Sequence, residues 1–98
     1  MIRKRAGAET LELPVAGAFI AVGLRPNSHL VAGLVELNDE EEVVIGPDCS
    51  TSCAGLFAAG DVTSAYGKRI IIAAGEGAKA ALAAKHHILE GRKGRVRA

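Results

Sequence analysis

The sequence has no tryptophan, two phenylalanines and one tyrosine among its 98 residues. So few rings deprive a small chain of the side chains that usually bury most area. No apolar run approaches the roughly 20 residues that cross a bilayer, which excludes a membrane-spanning helix. Charge of one sign is lacking too. The net charge is +1 with 23% charged residues, and 49% are hydrophobic, which excludes a disordered chain. Cysteine is sparse: Cys49 and Cys53 are too few for a disulphide framework, and their spacing is not Cys-x-x-Cys. Such sparse usage fits a reducing cytoplasm. His29 stands alone, and the adjacent His86 and His87 diverge on a helix, so no metal site is expected.

What remains is alanine and glycine. Small residues let backbones approach closely but bury little area each. That composition suits a close-packed cofactor-binding sheet and suggests part of something larger. Charge is uneven along the chain, with Arg3, Lys4 and Arg5 at one end, Arg92, Lys93, Arg95 and Arg97 at the other, and Asp39–Glu42 between. The basic ends read as solvated termini, because no aromatic residues interleave with them, and no nucleic-acid partner is expected. A basic start before the apolar run Leu13–Leu24 imitates a secretory signal. Glu9 and Glu12 separate the two parts, and Arg25-Pro26-Asn27 follows in place of a cleavage site.

Residues 1–13 read as a strand or hairpin arm ending at Pro14. Gly17–Gly23 is a short apolar run closed by glycine, which predicts a strand buried on both faces. Leu34–Leu37 and Glu42–Ile45 flank Asn38–Glu41 as a hairpin with an acidic turn, closed by Gly46-Pro47-Asp48. Leu56–Ala59 is a second short buried strand, stopped by Gly60-Asp61. From Lys68 or Arg69 to about Glu90 the chain reads as one alanine-rich helix. Ile71, Ala74, Ala78 and Leu82 form its apolar stripe, and Gly91 its C-cap.

Gly75-Glu76-Gly77-Ala78-Lys79-Ala80 matches the dinucleotide fingerprint G-x-G-x-x-A, with Ile70–Ala74 as a possible strand before it. Against that, no second strand with an acidic residue follows, and Glu76 would aim negative charge at a pyrophosphate. The other reading is glycines within a helix, where a backbone or ring packs closely.

Leu56–Val62 is the most informative segment. A strand running into Gly60-Asp61 places a carboxylate at its carboxyl end, where open α/β sheets hold ligands. Aspartate there can accept hydrogen bonds from sugar-like hydroxyls. A helix starting near Arg69 aims its N-terminal amides beyond Asp61.

With these residues the sequence resembles the C-terminal part of thioredoxin reductase and its relatives, including the flavoprotein subunit of alkyl hydroperoxide reductase. The resemblance rests on Phe19–Gly23 leading to Pro26-Asn27, on Thr51-Ser52 before Gly55–Val62, and on Ile71–Gly77. Order and spacing agree over roughly residues 10–90. It implies an α/β architecture: an incomplete, Rossmann-like FAD-binding half-domain of short strands and a β-hairpin followed by one long C-terminal helix. Residues 1–24 would close an NADPH-domain-like region and return to the FAD domain, 25–91 would be the second half of the FAD-binding domain, and 92–98 a basic tail.

The resemblance also implies roles. Asp61, with Gly60 beside it, would hydrogen-bond the ribityl chain of FAD. Lys68, Arg69 and Ile70 would lie along the isoalloxazine ring, with the Ile70 N–H at its pyrimidine edge. Gly75 and Gly77 would sit inside the helix, which displaces the fingerprint reading. Many relatives carry glutamine where this chain has Arg69. The parent enzymes are FAD- and NADPH-dependent disulphide reductases. This chain lacks both of their glycine-rich nucleotide motifs and the redox Cys-x-x-Cys, so no catalytic residue and no tight FAD binding by the chain alone are expected. A homo-oligomer, or the missing half of the flavoprotein, is the expected partner. The alternative is a non-catalytic oligomerisation or docking module derived from the same fold.

Overall fold

The computed structural model describes residues 2–3 and 10–96. Two short strands open the chain, β1 (Ile2–Arg3) and β2 (Thr10–Leu11). They pair antiparallel, with Ile2 opposite Leu11 and Arg3 opposite Thr10. The hairpin arm expected of residues 1–13 is therefore formed at these two pairs. Lys4, Arg5, Arg97 and most of the basic N-terminal end lie outside the described residues.

The segment that follows departs from expectation. Gly17–Gly23 is neither a strand nor buried: Phe19, Ile20 and Val22 are almost fully exposed. A strand buried on both faces needs ladder partners beside it and a layer on each face. No described residues run alongside this segment, so an apolar composition that favours burial finds nothing to be buried against.

Residues 28–64 fold back on themselves through turns and single bridges. A 3-10 turn at His29–Val31 follows Ser28, whose hydroxyl donates to the Glu41 carbonyl at 2.6 Å. The acidic hairpin is present, though as one antiparallel bridge, Leu37 to Val43. Asn38 organises its turn. The side-chain oxygen accepts the Glu40 and Glu42 N–H groups at 3.0 and 2.9 Å, and the side-chain amide donates to Glu42 at 2.9 Å. Asparagine is favoured in such turns because its short amide imitates a backbone turn. Val43 then forms a parallel bridge with Thr63, donating to the Val62 carbonyl and accepting from Ser64, both at 2.9 Å. The expected Leu56–Ala59 strand is likewise reduced to one antiparallel bridge, Phe57 to Ser50. The buried apolar residues among those described are only Val35, Val43 and Cys49.

One helix, α1 (Ile70–Val96), completes the fold and runs for about 40 Å. It begins where the sequence predicts and contains Gly75 and Gly77, so the G-x-G-x-x-A match is not a strand-to-helix turn. Two details differ. Gly91 does not cap the helix, which continues to Val96. Interior glycine costs only about 1 kcal/mol, and Arg92 and Lys93 are good helix formers whose charge suits a helix C-terminus. The predicted apolar stripe also faces away: Ile71 is 79% exposed and Leu82 69%. The contacting face carries Ala73 and Glu76, which meet Gly60 and Cys49, and His87, whose ring lies edge-on to Phe57 at 6.2 Å. Apolar residues are spread around the helix, so hydrophobicity alone does not select a face.

The molecule is elongated, 72 × 27 × 19 Å, with a radius of gyration of 20.2 Å. A compact chain of this length has about 13 Å. Its accessible surface is 8344 Å², against about 5,300 Å² for a compact monomer of its mass.

Candidate functional site

The Gly60–Thr63 turn carries the site. It follows Phe57–Ala59, whose course is set by the Ala58 N–H donating to the Cys49 carbonyl at 3.0 Å. Gly60 has φ +87°, a left-handed conformation that strains any side-chain-bearing residue. Its carbonyl accepts the Thr63 N–H at 3.0 Å and the Thr63 hydroxyl at 2.7 Å. Its N–H donates to the buried carboxylate of Glu76 at 2.8 Å. Asp61 is the next residue, at the exposed corner of the turn.

Asp61 lines an open cleft of about 630 Å³ together with Val62, Lys68, Glu40, Glu42 and the segment Gly23–Asn27. That volume lies within the range of small-molecule and cofactor sites. Lys68 reaches across its floor. The ammonium pairs with Glu42 at 2.6 Å and donates to the Thr63 carbonyl at 2.5 Å. The Lys68 ammonium, followed by the Asn38 amide, holds the Glu42 carboxyl below its ordinary range. Lys68 is thus engaged in tying the acidic turn to the start of α1, and its aliphatic stem is what remains to face a ligand.

The sequence-predicted site residues are therefore divided. Gly60, Asp61 and Lys68 come together at one turn and its cleft. Arg69 and Ile70 are exposed and do not line that cleft. The Arg69 guanidinium donates back to the Lys68 carbonyl at 2.8 Å. The first hydrogen bond of α1 runs from Ala73 N–H to the Arg69 carbonyl at 2.9 Å, so the Ile70–Ile72 amides precede the internal ladder, as at any helix start. No acidic residue stands in that first turn. Gly67, with φ +93°, makes the approach possible, since a Cβ there would lie 2.5 Å from Ile72 Cδ1.

Two site-shaping residues escape a sequence reading. Glu42 looks like the start of a hairpin strand, yet it neutralises Lys68 from 26 positions away (68 − 42). Glu76 looks like part of a nucleotide fingerprint, yet it grips Gly60. The available signal was spacing, because Glu76 shares a helix face with Ala73 and Ala80, small residues that let a loop come close.

The cysteines stand apart from this chemistry. Cys49 is buried with φ +65°, and its thiol donates to the Glu76 carbonyl at 3.6 Å. Burial, and then the nearby Glu76 charge, push its pKa up. Cys53 is exposed, and both thiols are free. Among the described residues no group of three His, Cys, Asp or Glu could hold a metal ion, and no helix is long and apolar enough to cross a membrane.

The cleft can be set beside known proteins. The family model described as pyridine nucleotide-disulphide oxidoreductase matches residues 3–86. The chain is 44% identical over 87 residues to an alkyl hydroperoxide reductase subunit of Pseudomonas putida, an alignment covering 89% of this chain and 17% of that protein. Against the Escherichia coli K12 protein of the same name the identity is 42%, with the same coverage. Among solved structures, a thioredoxin reductase from Streptococcus pyogenes MGAS5005 superposes with a TM-score of 0.67 at 32% identity. That match covers 76% of this chain and 24% of the other. The chain thus spans about a sixth of the length of the curated relatives it matches. From the family match and these relatives, this chain belongs to the pyridine nucleotide-disulphide oxidoreductase family.

Proposed function

We propose that this chain supplies the ribityl-facing part of an FAD site in an oxidoreductase that passes electrons from NADPH to a disulphide. The observation that carries the reading is the Gly60–Asp61 turn, held by the Glu76 carboxylate and the Thr63 hydroxyl, with Asp61 lining a 630 Å³ cleft. A carboxylate in that place accepts hydrogen bonds from a polyol chain, as the resemblance to thioredoxin reductases implies. When bound, FAD would take hydride from the reduced pyridine nucleotide and deliver electrons to the disulphide. Asp61 orients the polyol chain, Gly60 lets the backbone approach it, and Lys68 with Glu42 braces the cleft floor. Arg69 and Ile70 stand where the start of α1 would meet the ring, and the open amides there favour developing negative charge.

The donor set fits one end of the cofactor only. The two glycines that match a diphosphate motif lie inside α1, where their amides belong to the helix ladder. The diphosphate, the nicotinamide and the redox disulphide would therefore be held by residues outside these 98. On this reading residues 25–91 belong to the second half of an FAD domain, residues 1–24 lead out of a nucleotide domain, and 92–98 are a basic extension. The partner is the other half of the flavoprotein or a second copy, without nucleic acid or membrane. Two free thiols accord with the cytoplasm.

A fluorescence titration of FAD with the full chain tests this. Half-saturation is expected above about 10 μM, well short of the affinity of a complete cofactor site. Asp61→Ala should weaken uptake about tenfold, the scale of a lost charge-assisted hydrogen bond. Equal uptake by both chains overturns the role of Asp61, and tight stoichiometric FAD overturns the half-site.

A second reading has its own observation. Phe19, Ile20 and Val22 are exposed apolar residues close together on one segment, as are Ile70 and Ile71 at the start of α1, and clustered apolar exposure marks interaction sites. A docking or oligomerisation module without redox function would use it. Sedimentation of a strict monomer at high concentration removes that reading.

A further inference from the structure

We infer that Glu76 is a positioning residue, locking the Gly60–Asp61 turn against α1 so that Asp61 is presented to the cleft. The ligand at that cleft rests on the flavin-site reading above, whereas the lock itself is visible in the geometry.

Glu76 is 8% exposed, the most buried of the helix residues described. A buried carboxylate is costly unless donors satisfy it. The donor here is the Gly60 N–H, 2.8 Å from Oε2. Hydrogen bonds to an ionised acceptor are among the strong ones. On the other side of the same residue, the Gly60 carbonyl is taken twice by Thr63, a residue with no solvent exposure. Both backbone polar groups of Gly60 are thus held from opposite directions, in a left-handed conformation that the chain would otherwise leave easily. Ala73, one turn before Glu76, stands 3.5 Å from where a Gly60 Cβ would be, which places α1 directly against the turn. The Glu76 carbonyl meanwhile accepts the Cys49 thiol, so one helical residue joins both loops. Among the described residues no hydrogen bond or ion pair holds the exposed Asp61 side chain, so the restraint on the turn acts at Gly60.

A buried glutamate could also serve only to hold the helix on. The two roles differ in where a substitution is felt. Amide hydrogen exchange and chemical shifts of the isotope-labelled full chain separate them. Glu76→Leu is expected to speed exchange of the Gly60 amide about tenfold relative to the Ala80–Ala84 amides and to shift the Gly60 and Asp61 resonances. Glu76→Gln keeps an acceptor oxygen and should restore most of the protection. Should the leucine chain fail to fold, Glu76→Asp, shorter by one methylene, replaces it with the same Gly60-specific shift required. FAD titration of the same chains should show uptake about fivefold weaker for Glu76→Leu and near wild type for Glu76→Gln.

An unchanged Gly60 amide in the leucine variant overturns the proposal, as does an equal loss at Gly60 and along the helix in both variants. Wild-type chain that shows the Gly60 pattern without taking up FAD leaves the lock standing and removes the flavin-site reading instead.

Discussion

Residues 11–24 and residues 28–64 make opposite use of their composition. The first segment is the more apolar and is exposed throughout. The second is richer in turns and polar groups, yet it holds Val35, Val43 and Cys49, the buried apolar residues of the described chain. Burial here follows the hydrogen bonds that return the chain on itself, and hydrophobicity comes second. Asn38, Thr51 and Thr63 each satisfy backbone groups at a reversal, and apolar side chains are enclosed as a consequence. Among the described residues the apolar arm has no such returns, so its apolar side chains stay exposed.

The widest separation between the two regions should appear in thiol labelling. In a Cys53→Ser background, a cysteine placed in the arm by Ala21→Cys should be alkylated about a hundredfold faster than Cys49, which is buried and has a raised pKa. Comparable rates, read by mass spectrometry, would break the contrast. Val43→Ala comes next, at about 2 kcal/mol lost from the urea-unfolding free energy. Ile20→Ala in the arm should change it by less than about 0.5 kcal/mol. An Ile20→Ala cost as large as that of Val43→Ala would mean the arm is already covered in solution. Thr63→Val should cost about 1 kcal/mol, because the Gly60 carbonyl keeps one of its two donors.

Acid and alkali probe the same folded region more gently. Glu42 is held below its ordinary 4.5 by Lys68 first, and Asp48 below its ordinary 3.8 by the Ser50 hydroxyl first. Groups with depressed folded values add stability above their ordinary pKa and lose it as pH falls through the folded one. Cys49 is raised above its ordinary 9.0, so its proton is held longer in the folded state and stability falls as pH rises past that value. The melting temperature should be flat between these limits and decline on both sides, with Glu42→Gln flattening the acid limb. An unchanged acid limb in that variant would detach Glu42 from stability. Least of all, Arg25→Ala should shift stability by under about 0.5 kcal/mol. Its pair with Glu41 spans 3.3 Å, but the side chains are 85% and 56% exposed.

Local chemistry was legible in advance. Asn38 in an acidic turn, Gly60-Asp61 after an apolar run, and an alanine-rich helix starting at Arg69-Ile70 all depend on near neighbours along the chain. The buried strands at 17–23 and 56–59 were not realised, because a strand's hydrogen bonds belong to its partners. The helix was correctly located but its face was not. Ile71 and Leu82 were the better apolar candidates, yet Glu76 faces inward.

The sequence by itself determined where the chain turns, where the helix begins, and that an aspartate follows a glycine at a turn. These follow from dihedral preference and from hydrogen bonds a few residues long. Only the tertiary structure decided that Lys68 is neutralised by Glu42 and that Gly60 is held by Glu76 from sixteen residues away. The reason is physical: an unpaired backbone N–H at the turn needed an acceptor, and its demand outweighed the preference of a more apolar helix face for the interior.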